Sequence, residues 1–106
     1  MPKYLMQATY TNEGLNGLAK EGGRQRRDAV QKATEQLGGT LEAFYYAFGD
    51  ADVYLIVDLP DAVTASAMSM AVNASGMVRL RTTPLLTVEE VDSAITKTVA
   101  YRAPGT

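Results

Sequence analysis

Two carboxylates, Asp50 and Asp52, stand one residue apart in the turn Gly49-Asp50-Ala51-Asp52, directly after a run that carries Tyr45 and Tyr46. Buried beside a cleft, such a carboxylate has its charged form desolvated, so its pKa rises and it can act as a general base. Asp52, Tyr45 and Tyr46 are therefore the candidate catalytic groups. Aspartate is also a routine turn residue that accepts hydrogen bonds from nearby backbone N–H groups, and this simpler reading carries more weight. Arg79 and Arg81 lie at i and i+2 of a strand-like run and project from one face. Two guanidinium groups so placed can grip an anion bidentately, with Tyr46 and Tyr54 supplying ring surface and hydroxyls. Arg79, Arg81, Tyr46 and Tyr54 are the candidate ligand-binding residues. On a sheet rim the same arginines would only pair with Glu42 or with a partner's acids, each pair contributing little.

The segment Lys20-Glu21-Gly22-Gly23-Arg24-Gln25-Arg26-Arg27 sets a glycine pair and four cations around a helix start, where free N–H groups attract anions. No Lys-Ser/Thr follows the glycines, so it is not a P-loop. Cations in a first helical turn oppose the helix dipole. A solvated loop accounts for the segment without any ligand.

What is missing narrows the chemistry further. The 106 residues include no cysteine and no histidine. That removes thiol nucleophiles, disulfides, thiolate zinc and Fe–S sites, Ser-His-Asp machinery, and histidine-held haem or metal. Two carboxylates make at best a weak oxygen-only site, so neither metal nor cofactor is expected. Ser66, Ser69 and Ser75 have no base within sequence reach. Ten Lys+Arg against twelve Asp+Glu give a net charge of −2, which advertises no nucleic acid. The start, Met-Pro-Lys-Tyr-Leu-Met-Gln, lacks the apolar stretch of a secretory signal. The longest apolar run, Val53-Tyr54-Leu55-Ile56-Val57, falls far short of the roughly 20 residues a membrane helix needs. A soluble cytoplasmic protein, with no membrane partner, is the expectation.

With 46% apolar side chains, the chain can bury one core, and its length predicts one domain over residues 1–100 with a loose tail at 101–106. Residues 3–10 alternate at period two, placing Tyr4, Met6, Ala8 and Tyr10 on one strand face. Thr11-Asn12 offers a helix cap. Helical pieces are predicted at 13–20 and 24–37, separated at Gly22-Gly23. Two strands, Leu41–Phe48 and Asp52–Leu59, are predicted to meet through a tight Gly49-Asp50-Ala51 hairpin. A helix over Ala62–Ser75 and a strand over Met77–Thr83, ended by Pro84, follow. Thr87-Val88-Glu89-Glu90 reads as a capping box opening a helix to about Thr98, with Leu86 and Val91 placed for a hydrophobic staple.

The order predicts an α+β fold: a ferredoxin-like βαββαβ arrangement with a four-stranded antiparallel sheet, helices on one face, and an added C-terminal helix. Helices on one side leave the other bare. Simple alternation puts Leu41, Ala43, Tyr45 and Ala47 on one face of the second strand and Glu42, Phe44, Tyr46 and Phe48 on the other, so neither face is polar. Such a sheet presents about 440 Å², enough apolar surface for a homodimer with sheets face to face. The competing arrangement folds the C-terminal helix over its own sheet.

The opening Pro-Lys-Tyr-Leu-Met-Gln-Ala-Thr-Tyr-Thr-Asn-Glu-Gly, the Gly38-Gly39 stop, Phe44-Tyr45-Tyr46-Ala47-Phe48-Gly49 with Asp52-Val53, and Ala74-Ser75-Gly76 together make the chain resemble the GYD-domain family over about residues 2–90. In the family's name-giving turn, Gly49 and Asp52 match while Ala51 stands where an aromatic ring is the pattern. The resemblance implies a dimeric α+β barrel, within a superfamily that includes cofactor-free monooxygenases, isomerases and haem enzymes. It supplies no activity. The leading expectation is a homo-oligomeric domain, not an enzyme, that binds a small anionic or partly apolar molecule between sheet and helices or at the dimer seam. A cofactor-independent isomerase or monooxygenase-like enzyme and a purely structural assembly protein are the alternatives.

Overall fold

A computed structural model describes residues 1–106. The elements run β1 (Lys3–Tyr10), α1 (Asn12–Glu21), α2 (Gly23–Gln36), β2 (Thr40–Tyr46), β3 (Val53–Asp58), α3 (Ala62–Ala74), β4 (Val78–Leu85) and α4 (Val88–Ile95). The strands form one open sheet in the order β2-β3-β1-β4, with every neighbouring pair antiparallel. The protein is thus an α+β fold with four helices and an open four-stranded antiparallel sheet.

Period two decides which face is covered. Tyr4, Met6 and Ala8 of β1 and Val53, Leu55 and Val57 of β3 are all buried, and Leu59, Ala65 and Met68 close the core above them. Each large side chain removed from water contributes about 1.5–3 kcal/mol. The opposite face carries Leu5, Tyr54, Ile56, Arg79 and Arg81, and no helix lies on it.

The α1–α2 break needs only one residue: Gly22 takes φ +90°, a left-handed conformation that side chains avoid. Thr11 caps α1 by accepting from the Gly14 N–H, and its hydroxyl donates to the Gly76 carbonyl at 3.0 Å. That tie fixes the start of α1 against the entry to β4. Asp61 caps α3, accepting from the Thr64 N–H at 2.8 Å and the Thr64 hydroxyl at 2.7 Å, which holds its carboxyl below the usual range.

Three local expectations are corrected. The face assignment in β2 fails because a bulge falls between Leu41 and Ala43. Leu41 opposes Val57 and Phe44 opposes Leu55, so Leu41, Phe44 and Tyr46 share the helix-side face while Ala43 and Tyr45 take the other. Glu42 is the extra residue, and the salt bridge of its carboxylate with Lys3 gives it a reason to point out of the ladder. The predicted tight hairpin is a longer loop over residues 47–52, anchored by the Asp52 N–H donating to the Ala8 carbonyl at 2.8 Å and by buried Ala51. Pro84 does not end β4, which continues through Leu85. As the sheet's edge strand, β4 can present the nitrogen that lacks a hydrogen to its unpaired side.

The capping box is present: Thr87 Oγ1 accepts from the Glu90 N–H at 3.1 Å, and Glu90 Oε1 accepts from the Thr87 N–H at 2.8 Å. The helix stops at Ile95 and does not fold over its own sheet. Every residue from Leu86 to Thr106 is exposed. The radius of gyration, 16.8 Å, exceeds the roughly 13 Å of a compact domain this size.

Candidate functional site

Helix α2 packs on β2 and α3 on β4, so the two helices straddle the central strands. The gap is a cavity of about 280 Å³. Met6 and Leu55 form its floor, Val30 of α2 and Val72 of α3 its sides, and Phe44 an end wall. Twelve of the fourteen lining residues are hydrophobic, so a ligand must bring mostly apolar surface.

One end is polar. Arg26, on the second turn of α2, borders the cavity, and its Nε is buried without a hydrogen-bond partner. Its Nη1 lies 3.7 Å from the Glu21 carboxylate, a loose ion pair that leaves the guanidinium with free donors. Tyr10, also at this end, has its pKa pushed up to about 12, first by burial and then by neighbouring Tyr46. Burial also raises the Tyr46 pKa, and the Tyr46 hydroxyl donates to the Gly23 carbonyl at 2.9 Å. Phe44 and Tyr46 meet edge to face, with ring centroids 5.2 Å apart and planes at 79°. Tyr10 borders a second, more open cavity of about 460 Å³, where Tyr46, Asp52, Phe48 and Leu18 face it.

The sequence-derived candidates separate. Asp52 and Tyr46 reach the same open cavity, but the Asp52 carboxylate already accepts from the Tyr10 backbone N–H at 2.9 Å, tying the loop to β1. Tyr45, 72% exposed, and Tyr54 oppose each other on the far side of the sheet. Arg79 and Arg81 do share a face, together with Gln7 and Thr9, and the Arg81 Nη2 donates to Gln7 Oε1 at 3.4 Å. Tyr46 is therefore on the opposite side of the sheet from Arg79, Arg81 and Tyr54, and these four do not form one site in the chain. Arg26 and Tyr10 were not among the candidates. The signal for Arg26 was the unfavourable placing of cations at a helix start; Tyr10 shares the period-two face of Met6 and Ala8. No group of three His, Cys, Asp or Glu side chains is arranged to hold a metal ion, and no helix is long and apolar enough to cross a membrane.

The tyrosine environment has a measurable consequence. A raised native pKa means the folded state keeps a proton that the unfolded chain loses, so stability is full below about pH 10 and falls as pH rises toward 12. Tyr10 is expected to account for about 2 kcal/mol of that loss, allowing for partial exposure. Urea unfolding at pH 8 and pH 11.5 should show a markedly smaller alkaline drop in Tyr10→Phe than in wild type. Equal drops would place the proton elsewhere.

Among comparisons with known proteins, the family model described as GYD domain matches residues 4–95 of this chain. No curated protein and no solved structure matches it.

Proposed function

The chain belongs to the GYD domain family, and from that premise and the cavity between α2 and α3 we propose that it is a homo-oligomeric small-molecule-binding domain. The ligand is a small, largely apolar molecule with one anionic end. The carrying observation is the pairing of an apolar cavity with a single guanidinium whose Nε is buried and unpartnered at its rim. A buried donor left unpaired costs about 1–3 kcal/mol, and a carboxylate from the ligand removes that cost with a charge-assisted bond. Apolar walls supply affinity; Arg26 sets orientation.

Binding is favoured over cofactor-independent isomerase or monooxygenase chemistry by the state of the two tyrosines. Both hydroxyls hold their protons at neutral pH, so they donate hydrogen bonds rather than abstract protons. Asp52 spends its carboxylate on the Tyr10 backbone. The β2-β3-β1-β4 order supports the ferredoxin-like reading. The uncovered sheet face, with half-buried Leu5, Tyr54 and Ile56 and exposed Tyr45, supports pairing of two copies through their sheets.

Thermal-shift and calorimetric titrations with phenylacetate and hexanoate, against the neutral phenylacetamide and hexanol, test the reading. The carboxylates should bind at least tenfold more tightly than the neutral probes, and Arg26→Met should erase that preference while leaving the fold intact. Val72→Trp, which fills the gap from α3, should abolish binding of all four. Carboxylate binding that survives Val72→Trp, or no binding of any probe to wild type, would overturn the assignment.

A further inference from the structure

The segment after β4 is well formed yet touches almost nothing. Its helix has a complete capping box, and Val88, Val91 and Ile95 recur at i, i+3 and i+7, one apolar stripe. Leu86, Val99 and Tyr101 extend that surface, and all six side chains are exposed. A short isolated helix gains too little from its own hydrogen bonds to persist in water, so one this regular is built to be packed against something. The total exposed surface, 7542 Å², is about 1,800 Å² more than a compact monomer of 11.4 kDa would expose.

Area, charge and continuity point to a second copy of this chain as the occupant. Two sheet faces of about 440 Å² each, pressed together, hide about 900 Å². That falls short of the roughly 1,200 Å² at which stable interfaces begin. An eight-residue helix is about 12 Å long and 10 Å wide. Two such arms docked on the partner hide about 500 Å² more, counting both surfaces, and bring the total into the stable range. The charges also match. Glu90 is consumed by the capping box; Asp92, a turn away from both Val88 and Ile95, flanks the apolar stripe, and Glu89, three residues before Asp92, extends that acidic side of the helix away from the stripe. On the open face Lys3 is paired with Glu42 and Asp58, while Arg79 and Arg81 have no acidic partner. These arginines lie on β4, the strand that leads directly into the arm.

We propose that residues 86–101 are an exchanged arm. In a two-fold dimer each arm lays Val88, Val91 and Ile95 along the β4 margin of the second copy's open face, with Glu89 and Asp92 against Arg79 and Arg81. The sheets cover Leu5, Tyr54 and Ile56 between them. The proposal rests on the paired-sheet reading above and adds that pairing without the arms is too weak to hold.

Sedimentation equilibrium of the full chain, with circular dichroism as a check on folding, tests it. Wild type should be dimeric at micromolar concentration. Val91→Asp with Ile95→Asp changes only exposed side chains, and should raise the dimer dissociation constant at least a hundredfold with the fold unaltered. Glu89→Lys with Asp92→Lys should loosen the dimer about tenfold, and adding Arg79→Glu and Arg81→Glu in the same chain should restore it. If the Val91→Asp, Ile95→Asp protein stays as dimeric as wild type, the arm proposal falls while the paired sheets stand. A monomeric wild type, whether its arm lies on its own sheet or awaits a different partner, overturns both. Failure of the charge exchange to restore the dimer overturns the docking site.

Discussion

Alanine at position 14 should destabilise the protein by about 3 kcal/mol and lower its melting temperature by roughly 15 °C. Gly14 is buried in the first turn of α1, where the helix crosses the chain entering β4. A Cβ there would fall on the Met77 carbonyl oxygen and 2.8 Å from the carbonyl carbon. Neither is the end of a flexible side chain, so the main chain itself must move. That carbonyl also accepts from the Thr11 N–H at 3.0 Å, so shifting it strains the cap of α1 as well. The roughly 1 kcal/mol that alanine gains over glycine within a helix does not offset this. Gly17, three residues on in the same helix, is the control, because nothing lies within 4 Å of a Cβ built there. Gly17→Ala should be neutral or stabilising by up to about 1 kcal/mol. Equal melting temperatures for the two variants, measured by calorimetry, would refute the close approach.

Met6→Ala should cost about 3–4 kcal/mol and also change what the cavity accepts. Met6 is fully buried at the centre of β1, opposite Leu55 of β3, and it forms part of the cavity floor. Truncation removes packing on the core side and leaves a void that rigid strands cannot close. With a domain's total stability at about 5–15 kcal/mol, the loss is readily seen in urea unfolding. Because the new void joins the existing cavity, longer carboxylates such as octanoate should bind the variant better relative to hexanoate than they bind wild type. Val57 supplies the comparison: it is as deeply buried but does not line the cavity. Val57→Ala should destabilise without altering that preference. A Met6→Ala protein with unchanged chain-length selectivity would mean that the cavity is not the binding site.

Element types were legible because they rest on short-range regularities. Alternation in β1 and β3, the glycine break between α1 and α2, and the Thr87–Glu90 capping box each depend on residues a few positions apart, and the structure contains all of them. The faces of β2 were not legible. A bulge is set by how two strands align across the ladder, and Leu41, Glu42 and Ala43 carry no local mark saying which of them is the extra residue. The 47–52 loop was likewise misread because its length follows from anchorage to Ala8 and Tyr10, some 40 positions away.

The candidate site shows the same division. Composition alone removed thiol, imidazole and disulfide chemistry, since a chain without cysteine and histidine cannot supply those groups in any fold. Spacing placed Arg79 and Arg81 on one face, since the strand period is local. Only the tertiary structure put Tyr46 on the far side of the sheet from those arginines and turned Arg26 from a helix-start cation into the polar rim of an apolar cavity. A site of this kind arises where α2 and α3 settle on different strands and leave a gap, and that depends on how whole elements pack rather than on any stretch of sequence read by itself.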